Sequence, residues 1–222
     1  HILFSSTFLV VGGRIKHMTR DEALEIVKLN GLELKDLPEE YKKDKEIVLQ
    51  AIQIDDEQLN DLDQSAFLYA DDSLKNDREF VLEAVGLNGS SLEYANEKFK
   101  KDKEIVIKAV SSPQILFALL SADISLRNDK EVVIEAVNED GGGLSIVEDH
   151  FKKDKFVVMV AVENDRSALE FADDTLKKDE EVVLRALIHD GSALEYADDI
   201  FKKNKKMVLI ALSTNKYAMK YV

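Results

Sequence analysis

The sequence contains no cysteine and no tryptophan, and only two prolines and nine glycines among its 222 residues. Without cysteine it has no disulfide, no thiolate zinc site and no cysteine nucleophile. No apolar run reaches the roughly 18 residues that a membrane-spanning helix needs, so the sequence predicts a soluble protein with no membrane span. The shortage of proline and glycine, beside abundant alanine, leucine, glutamate and lysine, favours helix over sheet.

Positive charge is also in short supply. The chain has 30 lysines and arginines against 44 aspartates and glutamates, which gives a net charge of -14. Affinity for phosphates depends on an excess of basic side chains, so a duplex nucleic acid partner is disfavoured. The 45% hydrophobic content is too high for a disordered chain and predicts a folded core.

A unit of 25 residues repeats along the chain about seven and a half times. Five of the seven intervals between repeat starts are 25 residues, and the other two are 33, from an insertion around 55–64, and 27, from two extra residues near Pro113. Loops absorb such insertions at little cost. The repeats begin at Thr19, Asp44, Asp77, Asp102, Asp129, Asp154, Asp179 and Asn204.

The seventh repeat, residues 179–203, shows the pattern of the first helix. Asp179 is a typical N-cap, and Val182, Val183, Ala186 and Leu187 follow at helical spacing. The same pattern predicts first helices at about 45–54, 78–87, 103–110, 130–139, 155–164, 180–189 and 205–213. We expect no β-strand beyond the first twelve residues.

A second helix is expected in each repeat. Gly191 would end the first helix in a left-handed conformation, and Ser192 with Glu195 would start the next helix as a capping box. Ser90 with Glu93, and Ser167 with Glu170, repeat this pair. Helices of about ten residues are marginal alone and must stack on their neighbours. The predicted fold is therefore all-α, an α-solenoid of two-helix repeats over 19–222, preceded by a leader or a degenerate half-repeat at 1–18.

Two columns of equivalent residues predict how the repeats pack. An alanine in the first helix permits close helix approach, and a residue of the second helix alternates between aromatic and leucine, as large-beside-small packing requires. The alanine column is Ala51, Ala84, Ala109, Ala136, Ala161, Ala186 and Ala211; the second column is Tyr41, Leu74, Phe99, Leu126, Phe151, Leu176 and Phe201.

Two segments resemble the repeats of the domain of unknown function 4116 family. They are NDKEVVIEAV at 128–137 and DGSALEYADD at 190–199, the latter followed by Phe201 and two lysines. The resemblance covers Thr19 to the C-terminus and implies tandem helical modules, of a kind found in protists and intracellular bacteria, with no established reaction and no catalytic residues to transfer. The fourth repeat departs from the pattern at Ser112 and Pro113, so its second helix is expected to start differently.

No catalytic, cofactor or metal site is predicted. The four histidines include no pair at helical zinc-ligand spacing. The segment from Asp61 to Asp72 resembles a calcium loop, but it has Ala66 where the turn needs glycine and lacks the bidentate glutamate. The glycines at 141–143 lack the lysine of a phosphate-binding loop. The sequence therefore favours a protein that is not an enzyme.

Paired lysines recur at the end of the second helix and would line one edge of the array. They are Lys42, Lys43, Lys100, Lys101, Lys152, Lys153, Lys177, Lys178, Lys202 and Lys203. In several repeats each pair follows an acidic pair by four residues, as Lys177 follows Asp173, and this spacing stabilises helices. A self-paired, solvated edge is therefore favoured, with an anion or RNA site as the alternative.

One deviation between repeats points to a contact site. Phe156 stands where the first helices of the second to fifth and seventh repeats hold glutamate, and Val160, four residues on, stands where those helices hold a polar residue. An apolar patch on a polar face is typical of a contact surface. We predict that the chain is a scaffold binding a protein or peptide partner through Phe156 and Val160. Packing within the chain, self-association with a second copy, and a patch without a role are alternatives for these residues, and a structural or regulatory spacer in a longer multidomain protein is the alternative function.

Overall fold

The computed structural model describes residues 3–5, 8–11, 14–57 and 65–222. The chain divides into two compact units, His1–Ala122 and Asp123–Val222. The division falls inside the fourth repeat. We describe the units separately.

A small antiparallel sheet precedes the first repeat. Its strands are β1 (Leu3–Ser5), β2 (Phe8–Val11) and β3 (Arg14–His17), in the order β1-β2-β3. The interpretation of residues 1–18 as a helical half-repeat is therefore wrong, and β3 extends past the twelve-residue limit set for strands. Valine, isoleucine and phenylalanine favour strands, and a pair of glycines in the sequence between β2 and β3 is a typical hairpin signal.

Each repeat begins with an α-helix, as predicted. An aspartate or asparagine caps most of these helices by accepting hydrogen bonds from two backbone N–H groups, as Asp77 does from Glu79 and Phe80. The observed bounds equal the predicted ones, except that the first helices of the second and last repeats end later than predicted, at Glu57 and Thr214. The first helices are α1 (Arg20–Leu29), α2 (Lys45–Glu57), α4 (Arg78–Leu87), α5 (Lys103–Val110), α8 (Lys130–Glu139), α10 (Lys155–Asn164), α12 (Glu180–His189) and α14 (Lys205–Thr214).

The second half of most repeats is two separate helical turns rather than one helix, which corrects the prediction. In the seventh repeat a 3₁₀ helix is followed by extended backbone at Asp198, whose side chain caps a further turn. The short α-helices are α3 (Asp72–Lys75), α6 (Ile115–Ser121), α7 (Ile124–Arg127), α9 (Asp149–Lys152), α11 (Ala168–Phe171) and α13 (Asp199–Lys202). The 3₁₀ helices are Gly31–Asp36, Tyr41–Lys43, Ala66–Tyr69, Gly89–Tyr94, Phe99–Lys101, Gly141–Ser145, Gly191–Glu195 and Lys216–Tyr221.

The predicted capping boxes of the second half do not form. Asp190, not Ser192, is the cap: its Oδ1 accepts the Ser192 N–H at 2.8 Å. The N–H groups of Ser90 and Ser167 bond in the same way to Asn88 and Asp165. A true capping box joins Thr19 and Glu22 at the start of α1. The caps therefore come from the residue before the glycine column.

Both packing columns are buried, as predicted. All seven alanines of the first column are fully buried, and the aromatic and leucine side chains of the second are at most 9% exposed. Within the first unit α1 packs on α2, α2 on α4 and α4 on α5; within the second, α8 packs on α10, α10 on α12 and α12 on α14. Successive repeats thus stack in each unit through their first helices.

Glycine at the start of the 3₁₀ helix allows this stacking. A Cβ atom on Gly191 would lie 1.9 Å from the carbonyl oxygen of Ala211, and one on Gly89 would lie 2.4 Å from that of Ala109. Neither glycine has a positive φ, so the predicted left-handed helix end is wrong. The backbone of one repeat instead approaches the alanine of the next too closely for any side chain.

Candidate partner-binding surface

Phe156 and Val160 both lie on α10, one turn apart. Phe156 is 58% exposed, while Val160 is half-buried. Four residues of this helix, Val157, Val158, Ala161 and Val162, already form its buried face. Phe156 is therefore apolar surface beyond what packing of α10 uses.

The glutamate that Phe156 replaces has a defined role elsewhere. The basic residue that opens a first helix bridges to the next repeat, where it binds both the cap aspartate and this glutamate. Arg20 lies 2.7 Å from Asp44 and 2.5 Å from Glu46; Arg78 lies 2.9 Å from Asp102 and 2.6 Å from Glu104; Lys155 lies 2.8 Å from Asp179 and 2.7 Å from Glu181. We call these contacts the inter-repeat ladder.

Phe156 removes the glutamate from one step of the ladder, but Lys130, the cation of that step, still has a carboxylate partner. Lys130 Nζ keeps the cap contact, 2.5 Å from Asp154 Oδ2, and lies 5.8 Å from the centre of the Phe156 ring. Burial would raise the pKa of Asp154, but Lys130 and the backbone N–H groups of Val157 and Phe156 hold it below its ordinary value. A cation–π contact thus stands in for the second carboxylate, and most of Phe156 still faces solvent.

The surface beside Val160 is polar and satisfied. On the next first helix Arg185 lies 2.7 Å from Glu163 of α10, so these charges answer each other. Val160 therefore lies between the exposed Phe156 and the ion pair of Arg185 with Glu163. The two predicted residues form a small apolar island on α10, and their contact role remains a prediction.

The ladder itself was missed at the sequence level. Its signal is a basic residue directly after one cap and an acidic residue two places after the next cap. In the last step of the ladder the two charges are exchanged. Glu180 stands in place of the cation and lies 3.6 Å from Lys206, which stands in place of the glutamate, while the neutral Asn204 replaces the cap aspartate. This exchange indicates that the pairing is specific. Comparing neighbouring repeats pairwise reveals it.

The paired lysines of the predicted edge are largely bound to carboxylates, though not at the predicted spacing. The first lysine of a pair binds three residues back, as Lys177 does Asp174 at 3.7 Å, and the second reaches the following repeat, as Lys178 does Asp198 at 3.8 Å. Equivalent contacts are Lys42–Glu39, Lys43–Asp71, Lys100–Glu97, Lys152–Asp149, Lys153–Asp173 and Lys202–Asp199. The i, i+4 pairing was wrong, because the break before each short helix alters the spacing.

Asp190 is the most strongly perturbed acid of the described caps. Burial would raise its pKa, but the Asn215 amide, the backbone N–H of Ser192 and Arg166 lower it to about 2. Arg166 lies 2.9 Å from its carboxylate and the Asn215 amide donates at 2.9 Å. One cap therefore joins three successive repeats.

The change Asp190→Asn should make the free energy of unfolding depend less on pH in the acid range. A depressed folded-state pKa stabilises the fold above the unfolded value near 3.8, and this is lost as pH falls toward about 2. By about pH 3 the natural chain should lose about 1 kcal/mol that the variant does not. Asn88 caps the equivalent turn of the third repeat, so the fold should survive. Urea unfolding at neutral pH and near pH 3 measures this, and an equal loss in both chains would contradict it.

The calcium-loop candidates do not come together among the described residues. Asp61 and Asp63 lie outside them, Ser65 accepts a hydrogen bond from the Phe67 N–H as a cap, and Asp72 lies 3.8 Å from Lys75. In the part of the chain that the structure describes, no group of three histidine, aspartate or glutamate side chains could hold a metal ion. None of the described helices has the length and apolarity needed to cross a bilayer.

A second set of exposed apolar residues was also missed. Phe117 and Leu120 of α6 are 41% and 51% exposed, on a helix of the first unit. Two extra residues near Pro113 displace them from the 25-residue alignment. Shifting the fourth repeat by two would have shown both in polar columns.

Comparison with known families agrees with the repeat. The family model described as "Domain of unknown function (DUF4116)" matches residues 19–65, 57–100, 77–117, 102–147, 129–177 and 179–222. The chain therefore belongs to a family of helical-repeat proteins. That family is DUF4116, the one that the sequence resembled. No curated protein and no solved structure matches the chain significantly.

Proposed function

We propose that the chain is a non-catalytic scaffold that binds a protein or peptide partner, and that Phe156 and Val160 contact that partner. The supporting observation is that Phe156 is 58% exposed at a position where neighbouring repeats use a carboxylate for stacking. Aromatic side chains are enriched at protein–protein interfaces relative to the rest of the surface. Without a glutamate here, Lys130 still contacts the cap Asp154 of the next repeat.

An anion or RNA site along the paired lysines has less support. Most of these ammonium groups lie within 4 Å of a carboxylate, on a chain of net charge -14. A phosphate would have to displace those carboxylates. If the chain were only a structural spacer, the α10 island would have no partner to contact.

Changing Phe156 and Val160 to glutamate should weaken partner capture while leaving the fold intact. The Phe156→Glu change would place a carboxylate next to Lys130 and so restore the ladder step seen at Glu181. The free energy of unfolding should therefore change by no more than about 0.5 kcal/mol. Capture by the immobilised chain from a lysate of its source organism, and sedimentation for self-association, give the two readouts.

The matched control is Ile200→Glu, because this side chain is 57% exposed and lies on the short helix α13 of the same unit. Proteins that both the natural chain and the control retain should be lost by the Phe156/Val160 variant. A large loss of stability would place the pair inside the fold. Unchanged capture with unchanged stability would remove the binding role of this island.

A further inference from the structure

The second half of the fourth repeat is built differently from the others. Its helix α6 is a full α-helix of seven residues where most repeats hold a 3₁₀ helix. Phe117 and Leu120 are one turn apart on its exposed side, and we call them the α6 ridge. Allowing for the two extra residues, serine takes the place of Phe117 at Ser90, Ser167 and Ser192, and glutamate that of Leu120 at Glu93, Glu170 and Glu195.

The chain adopts a strained backbone to begin this helix. Gln114 has φ 67° and ψ 39°, the only positive φ of a non-glycine residue in the described part of the chain, and its side chain makes no cap hydrogen bond. A left-handed residue other than glycine costs free energy, and such strain is concentrated at functional sites.

The ridge is held firmly on its repeat. The Gly89 N–H donates to the Pro113 carbonyl at 2.8 Å, and α6 packs along the 3₁₀ helix Gly89–Tyr94. Ala118 and Leu119 are buried. Phe117 and Leu120 are therefore presented by a packed helix and keep 41% and 51% of their surface exposed.

Charge beside the ridge indicates what would bind. Glu93, which occupies the Leu120 position one repeat earlier, is exposed, and the whole chain carries a net charge of -14. An apolar stripe with i, i+3 spacing fits the apolar face of another helix. A glutamate beside the ridge and a negative net charge favour basic residues on the polar face of that helix.

We propose that the α6 ridge binds an amphipathic helix of a basic partner. This rests on the proposed scaffold function but uses a surface of the first unit, whereas the α10 island lies in the second. The apolar contact is made by Phe117 and Leu120, and Glu93 faces the basic residues of the partner.

The test uses the full chain and a fluorescent amphipathic helical peptide of leucine and lysine as the probe. A serine and lysine peptide of equal charge measures electrostatic attraction alone. In the variant Phe117→Ser with Leu120→Glu, which restores the residues of other repeats, binding of the leucine peptide should weaken about tenfold or more. The added glutamate would strengthen a purely electrostatic contact, so a loss can only come from the apolar side chains.

The control variant is Ile200→Glu, which adds the same charge at a side chain that is 57% exposed in the other unit, and it should bind the leucine peptide as the natural chain does. Equal binding by the ridge variant, or equal binding of the serine peptide to the natural chain, would overturn the proposal. Loss of peptide binding in the Phe156/Val160 variant alone would move the site to α10, so the scaffold function would survive and the ridge would not. If the double variant unfolds, Leu120→Glu by itself gives the same comparison.

Discussion

Replacing Gly141 with alanine should strongly destabilise the protein, whereas the same replacement of Gly86 should stabilise it. A Cβ on Gly141 would lie 2.2 Å from the Ala161 carbonyl oxygen and 2.8 Å from the Asp165 backbone nitrogen. Both are backbone atoms of the next repeat and cannot move aside alone. Overpacking of this kind costs about 1 to 3 kcal/mol and occasionally more, and we expect the upper end of that range.

Gly86 is the matched control because it tests the same substitution without the backbone contact. It lies inside α4, and its nearest neighbour would be the Lys108 Cε at 2.7 Å, the far end of a flexible side chain. Alanine in a helix interior is favoured over glycine by about 0.5 to 1 kcal/mol. Urea unfolding followed by circular dichroism measures both changes. A Gly141 variant as stable as the natural chain would show that the repeats approach less closely than the structure indicates.

The sixth repeat, which lacks this glycine, agrees with the explanation. Arg166 takes its place there, the 3₁₀ helix is missing and α11 begins only at Ala168. At Gly89, Gly141 and Gly191, each of which starts a 3₁₀ helix, an added Cβ would lie within 2.4 Å of a carbonyl oxygen of the next repeat.

The first helices could be predicted closely because two independent signals agree there. A cap such as Asp179 marks the start, and the burial of Val182, Val183 and Ala186 sets the helical period. In the second half, Leu194, Ala197 and Phe201 have a spacing that fits one helix and also two turns joined by an extended residue. Asp198 favours two turns, because its side chain caps the second one. Hydrophobic periodicity does not detect a side chain that competes with the helix for backbone hydrogen bonds.

The candidate surfaces differ in what the sequence could reveal. Phe156 was found because the sixth repeat has the regular length, so that its column can be compared directly. The ridge of Phe117 and Leu120 was not, because an insertion shifts the register. The contact between Lys130 and Phe156 joins residues 26 positions apart, and only the stacking of repeats brings them together.

Replacing Ala136 with leucine should force apart the helices on which it packs. Ala136 is fully buried on α8, which packs on α10 and on the 3₁₀ helix Gly141–Ser145. The alanine column leaves room for a methyl group, and larger side chains have no free space at native packing density. Overpacking should lower the free energy of unfolding by about 1 to 3 kcal/mol.

The control is Asn138→Leu, which adds a leucine to the exposed side of the same helix. Surface changes of this kind shift stability by about 0.5 kcal/mol or less, and leucine is a better helix former than asparagine. Urea midpoints of the two variants should therefore separate clearly, with only the Ala136 variant falling. Because α10 carries Phe156, a displaced α10 should also lower partner capture in that variant. An unchanged midpoint would mean that the column tolerates a larger side chain and does not set the helix spacing.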